Sequence, residues 1–284
     1  MPAYIKNRKT VKTPLRYPGG KSKAIKFINP IIPGDFAEFR EPFVGGGSVF
    51  IDAKQNINSD AVYKINDINF DLYCFWKYAR DECEKLYNAV KNIKETEQDG
   101  KKLFIEYREE KIYSDFERAV RFFVMNRITF SGTVDSGGYS QQAFENRFTF
   151  SSIEKIKELS ELLSEVEIYN KDYTDILFED GKNVFIFLDP PYYSQAKSKL
   201  YGNNGHFHTS FNHAAFADNM RLCNHRWLIT LDDCEENREL FNFANINEWE
   251  LQYGMNNYKQ NSAAVGKELF ISNYDIAEYN FSYY

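Results

Sequence analysis

The sequence has no apolar run longer than about half a dozen residues, the longest around Val184–Leu188, whereas a membrane-spanning helix needs about 20. A bilayer-crossing protein is therefore not expected. The opening MPAYIKNRKT lacks the apolar core of a signal peptide, which predicts a protein that stays in the cytoplasm. Cysteine is scarce. Cys74 and Cys83 stand nine residues apart and Cys223 and Cys234 eleven, spacings that fit neither a zinc nor a redox motif, so all four read as reduced thiols. Glycine and proline are also few, 15 and 8 in 284 residues, which excludes collagen-like and disordered classes. Aromatic residues are abundant instead: 25 Phe and 20 Tyr in a chain long enough for one large domain or one domain carrying an insertion.

Acidic residues are missing from the N-terminal stretch. Eight basic residues (Lys6, Arg8, Lys9, Lys12, Arg16, Lys21, Lys23 and Lys26) precede the first acid, Asp35. The remainder then holds 27 bases against 41 acids, although the whole chain carries only −6. A basic segment on an acidic body suits contact with a polyanion.

Seven short stretches rich in β-branched and aromatic residues read as strands: Phe36–Arg40, Tyr63–Asn66, Val166–Asn170, Asn183–Leu188, Arg226–Leu231, Trp249–Gly254 and Glu268–Asn273. The fourth is apolar on both faces, as a central strand of a parallel sheet must be. Helical patterns fall between them, over Lys21–Ile28, Ser48–Gln55 and Phe211–Cys223. Ser151-Ser152-Ile153-Glu154 reads as a capping box that opens a helix to Leu163. The alternation predicts an α/β fold with a doubly wound, Rossmann-like seven-stranded sheet. About 100 residues separate the second and third strands, far more than a crossover needs. This interval is mostly helical (Asn69–Arg80, Asp81–Ile93, Lys101–Tyr113, Phe116–Phe130) and ends in a polar, glycine-rich stretch. It divides the chain into a catalytic domain, 1–69 with 151–284, and an inserted helical recognition domain, 70–150.

Glu41-Pro42-Phe43-Val44-Gly45-Gly46-Gly47-Ser48 follows the first strand and opens a helix, where glycines allow a tight turn beside a helix N-terminus. Twenty residues beyond Gly47, Asp67 ends the second strand, placed to accept hydrogen bonds from the hydroxyls of an adenosine ribose. The pair specifies an adenosine-bearing ligand without choosing between a dinucleotide and S-adenosylmethionine. Asp189-Pro190-Pro191-Tyr192, directly after the central strand, makes that choice. An exocyclic amine is a poor nucleophile because its lone pair is conjugated with the ring. Two acceptors aimed at its N–H bonds, the Asp189 carboxylate and the Pro190 carbonyl held by its ring, draw the nitrogen toward a pyramidal geometry. Tyr192 offers a stacking face for a base taken out of a duplex. Amine methylation asks for no metal, so His206, His208, His213 and His225 are expected in solvent or facing DNA.

These motifs resemble those of the Dam-type, or D12 class, DNA adenine N6-methyltransferases of the α group, over most of the chain. The family's W-x-G-G-K motif appears as Tyr17-Pro18-Gly19-Gly20-Lys21, with Tyr for Trp. Its cofactor motif matches residues 41–50, its second-strand acid Asp67 and its catalytic tetrapeptide residues 189–192. The resemblance implies S-adenosyl-L-methionine as cofactor, held by Tyr17, Gly19, Gly20, Lys21, Glu41, Pro42, Phe43, Val44, Gly45, Gly46, Gly47, Ser48, Asp67 and Asp189, with Asp172 at the cofactor's adenine. It implies duplex DNA as substrate and a restriction–modification context with a cognate endonuclease; a monomer is expected. Residues 122–127 resemble the helix leading into the family's DNA-reading hairpin, and residues 267–274 its final strand. Where the family's hairpin often reads F-N-V-P-x-G-R-Y, this chain has Tyr139–Phe148 with a different surface, so a GATC target does not carry over.

Lys12, Arg16, Asn126, Arg127, Ser131, Tyr139, Gln141 and Arg147 are the candidate DNA contacts, with Lys197 and Lys199 in a polar loop expected to close over the site. Ser136 and Gln142 belong to the same set of donors. Phe116, Phe122, Phe123 and Phe130 read as core. Transfer to cytosine N4, to RNA or to a protein amine keeps the same fold, and so does a non-catalytic DNA-binding relative. An NAD-dependent oxidoreductase shares the glycine loop but has no use for Asp-Pro-Pro-Tyr.

Overall fold

A computed structural model of the chain describes residues 10–109, 114–134, 136–192, 211–252 and 265–279. A 3-10 turn at Lys21–Lys23 and helix α1 (Ile25–Ile28) lead to β1 (Glu38–Glu41), α2 (Ser48–Asn56) and β2 (Val62–Asn66). Helices α3 (Phe70–Asp81), α4 (Cys83–Thr96), α5 (Gly100–Glu109), α6 (Asp115–Ile128) and α7 (Gln141–Asn146) follow, and α8 (Phe150–Leu163) returns the chain to β3 (Val166–Tyr169). The second half runs α9 (Tyr173–Leu177), β4 (Val184–Leu188), α10 (His213–Leu222), β5 (Arg226–Asp232), α11 (Glu235–Leu240), β6 (Asn245–Gln252) and β7 (Val265–Ser272).

The sheet order is β3-β2-β1-β4-β5-β7-β6, parallel except for β7, which runs antiparallel between β5 and β6. All five residues of β4 are buried, as its two-faced apolar sequence predicts. Phe185 and Phe187 face one core, shared with Phe39, Phe50 and the helices of the insert. Val184, Ile186 and Leu188 face a second core with Phe216, Trp227 and Phe241. The insert is stitched to the sheet by α3, whose Trp76 packs edge-on against Phe50 of α2 at 5.6 Å. Strand order reverses between β1 and β4, so a cleft opens at their carboxyl ends, the place where open α/β sheets bind ligands.

The structure departs from the sequence reading in several places. The eighth helix is capped by Thr149, whose box partner is Ser152, so the turn begins two residues before the expected Ser151 box. α6 stops at Ile128, because Thr129 takes an extended conformation. β6 begins at Asn245 rather than Trp249: as an edge strand it exposes polar residues that carry no apolar signal. Its expected end, Tyr253 and Gly254, lies outside the described residues, as do residues 110–113 of the expected Lys101–Tyr113 helix. The short α7, α9 and α11 offer too few turns to show a period.

Candidate active site

The first wall of the cleft is the turn after β1. Gly47 adopts φ 68°, and a Cβ there would stand 2.7 Å from Phe50 and Trp76, so only glycine lets the loop close onto α2. Gly46 is held by close approach. Its Cβ would lie 2.8 Å from the Cβ of Tyr17, whose side chain lies across the loop. The Gly45 carbonyl accepts from the Trp76 indole at 3.3 Å. Tyr17, Gly19, Gly20, Lys21, Glu41, Phe43, Val44, Gly45, Gly46, Gly47 and Ser48 all line the cleft. Pro42 does not. It stands behind the wall, its carbonyl accepting from Asn66 Nδ2 at 3.0 Å.

Asp67 closes the loop from β2. Its Oδ2 accepts from Gly45 N–H at 3.0 Å and its Oδ1 from Asn69 N–H at 2.9 Å. Burial pushes its carboxyl up to about 6 in spite of these two donors. Glu41 is 2% exposed and takes the Phe50 N–H on Oε2; burial holds it well above the usual carboxylate range. Asp172 is exposed and caps α9 through the Thr174 N–H and hydroxyl. It is not among the residues that line the cleft.

The opposite wall is the end of β4. Both contacts of Asp189 fall on one oxygen: Lys21 Nζ reaches Oδ1 at 2.7 Å, and the Thr230 hydroxyl of β5 donates to it at 2.8 Å. Oδ2 accepts nothing from the described residues. Lys21 is buried, donates to the Gly19 carbonyl at 3.0 Å, and stands 4.9 Å over the Tyr192 ring. The Pro191 carbonyl meets His213 Nε2 at 2.8 Å, while no donor among the described residues occupies the Pro190 carbonyl. Tyr192 is buried and donates its hydroxyl to Glu268 Oε2 of β7 at 2.9 Å. Burial, together with Asp189 and Glu268, keeps its phenol well above the ordinary range. Burial also lifts Glu268, to about 7. The two walls enclose about 1050 Å³ of atom-free space, part of it open to solvent.

Thr230, His213 and Glu268 escaped the sequence reading. Each sits on a distant element, and only the strand order brings it under the tetrapeptide. His213, expected in solvent or facing DNA, is 6% exposed. His206 and His208 lie outside the described residues, as do Lys197, Lys199 and the expected closing loop.

The candidate DNA contacts divide by burial. Lys12, Gln141 and Arg147 are exposed, and Arg16, Ser131 and Tyr139 partly so. Asn126 is fully buried. It brackets Arg16, accepting its N–H at 2.8 Å and donating to its carbonyl at 2.9 Å, and also donates to the Gly132 carbonyl at 3.0 Å. Arg127 spends its guanidinium on the carbonyls of Pro14 and Arg147, and burial, with Arg16 and Arg147 nearby, lowers it to about 10. These two side chains hold the N-terminal segment to α6 and are not displayed for base reading. Phe130 corrects the expectation in the other direction: it is 62% exposed, next to Ser131 with φ 53°. The helix ends before it, so the periodicity that assigned it to the core does not reach it.

A glycine turn after β1, an acid ending β2 and an Asp-Pro-Pro-Tyr edge after β4, on a seven-stranded mixed sheet with flanking helices, define an α/β protein of the Rossmann-like methyltransferase type. The chain belongs to the D12 class of N6 adenine-specific DNA methyltransferases, whose family model matches residues 17–255. It is 25% identical over 278 residues to the Type II methyltransferase M.CviBI of Paramecium bursaria Chlorella virus NC1A, covering 95% of this chain and 100% of that protein. It is 26% identical over 238 residues to the Type II methyltransferase M1.LlaDCHI of Lactococcus lactis subsp. cremoris, covering 76% of each chain. The DNA adenine methylase of Vibrio cholerae serotype O1 is 27% identical over 213 residues, covering 72% of this chain and 74% of that one. No helix among the described residues is long and apolar enough to cross a membrane.

Proposed function

We propose that the chain transfers a methyl group from S-adenosylmethionine to N6 of an adenine swung out of duplex DNA, within a sequence read by the 70–150 insert. The observation that carries this reading is the state of Asp189: Lys21 and Thr230 hold Oδ1, while Oδ2 and the neighbouring Pro190 carbonyl accept no hydrogen bond from the described residues.

The cleft suits the cofactor chemically. Glu41, Asp67 and Asp189 face it with Lys21 as the one cation among its lining residues, an excess of acid that matches a ligand carrying a sulfonium and an ammonium group. Asp67 keeps lone pairs for ribose hydroxyls beyond its two backbone donors. Bound there, the cofactor supplies an electrophilic methyl carbon on positively charged sulfur. Asp189 Oδ2 and the Pro190 carbonyl accept the two N–H bonds of the adenine amine and free its lone pair. His213 fixes the proline pair from behind, through Pro191. The Tyr192 ring seats the base.

Lys12, Arg16 and Arg147 supply charge for the phosphate backbone, and Phe130, Ser131, Tyr139 and Gln141 form the exposed rim that meets the bases. The Type II names of the relatives extend the reading to a modification enzyme that protects DNA from a nuclease of the same specificity. We assign it to the cytoplasm as a monomer.

Asp189→Ala is expected to abolish methylation of N6 in plasmid DNA, read by nucleoside mass spectrometry, while folding and DNA binding persist. Turnover near the wild-type rate in that variant, or a methylated base other than adenine in the wild-type product, overturns the proposal.

A further inference from the structure

β7 places beneath the tetrapeptide a carboxyl group that methyl transfer does not itself require. Glu268 is 1% exposed, and only one of its oxygens is used. Oε2 accepts the Tyr192 hydroxyl, while Oε1 is buried with no hydrogen-bond partner among the described residues. Leaving a carboxyl oxygen empty in the interior costs stability, and a neutral or apolar residue at this sheet position, opposite Asp232 and Trp249, avoids that cost. Burial is the largest influence on Glu268 and opposes its ionisation, as Asp189 and Asp232 also do, while Lys21 and the Tyr192 hydroxyl favour it without offsetting the burial. The contact Glu268 does make is the one that matters to the site. Tyr192 follows two prolines and is packed in the second core, and its hydroxyl bond to Glu268 ties the ring to the sheet. The tie is stiff, because β7 is paired on both sides.

We propose that Glu268 is a positioning residue for methyl transfer: through the Tyr192 hydroxyl it fixes the ring plane against which the extruded base is seated, so that the amine stands in line with Asp189 and Pro190. This inference rests on the reading of Tyr192 as the stacking face. It assigns to the last strand a part in orienting the base that is separate from cofactor binding and from contacts to the DNA backbone.

The test measures kcat, KM for DNA and cofactor affinity in Glu268→Leu, Tyr192→Phe, the double variant and Glu268→Gln, with melting temperatures as the check on folding. Releasing the ring lowers kcat about tenfold or more, with cofactor affinity and DNA binding within about threefold of wild type. The double variant loses no more than the worse single one, since both remove the same contact. Glu268→Gln, which keeps an oxygen for the hydroxyl, restores most of kcat. If Glu268→Leu is folded and binds cofactor but keeps kcat within threefold, or if the two losses multiply, Glu268 has no positioning role. If instead the wild-type chain methylates no adenine, it is the assignment of the reaction that fails, and the two failures are told apart by that control.

Discussion

A buried carboxyl that already holds two backbone N–H groups, as Asp67 does, is tuned by its surroundings before any ligand arrives. Burial sets its ionisation near 6, so the folded chain favours the protonated form up to that pH, and the stability this contributes is lost as pH rises from about 4 to about 6. Ribose hydroxyls need the ionised form as acceptor. Cofactor affinity measured by calorimetry should therefore be flat above about pH 7 and fall by up to tenfold per unit as pH drops below about 6, with proton release on binding in that range. An affinity that stays level down to pH 5, or rises there, shows that Asp67 does not meet the hydroxyls. At this scale the sequence was most informative. Asp67 and Asp189 stood at strand ends, where chain order alone gives them a role. Thr230 and His213 carried no such mark, because a single hydroxyl or imidazole on an otherwise ordinary strand or helix has no pattern around it.

Among the elements, α6 and the turn after it separate what supports the proposed recognition face from what forms it. Asn126 makes three hydrogen bonds to backbone while fully buried. Asn126→Ala should cost about 2–4 kcal/mol of stability by leaving those groups unpaired, seen as a lowered melting temperature. Phe130→Ala, at an exposed position, should shift stability by under about 0.5 kcal/mol yet weaken DNA binding about tenfold through lost stacking. If the two variants exchange these phenotypes, the division of the face is wrong. The same elements mark the limit of periodicity as a guide. Helical spacing ran on past Ile128 to Phe130, and only the extended conformation at Thr129 reveals where it stops. Residues of one type, Asn or Arg, looked equally fit for base reading whether they point inward or out. The inward ones are known only from what they touch, as with Arg127 and the Pro14 carbonyl.

For the molecule as a whole, an acidic protein must bind a more acidic polymer, and the arrangement of charge resolves this. Arg16, Arg127 and Arg147 lie close enough to lower the affinity of the first two for their own protons, with burial the larger cause. Lys12 stands on the same N-terminal segment as Arg16. Replacing Lys12 or Arg147 by Ala should reduce the slope of log affinity against log salt by about one each, without changing which sequence is preferred. An unchanged slope removes the residue from the phosphate contacts. The sheet was largely legible from β4 outward, since its two-faced apolar run places it at the centre and the glycine turn places β1 beside a ligand. The antiparallel entry of β7 was not, because no residue of Lys267–Asn273 says which neighbours it will have.

β7 follows both β5 and β6 in the chain yet lies between them in the sheet, so the sheet closes only when this strand enters the place between its neighbours. Until it does, the Tyr192 hydroxyl lacks its Glu268 partner, and the turn after β4 stands without that support from the sheet.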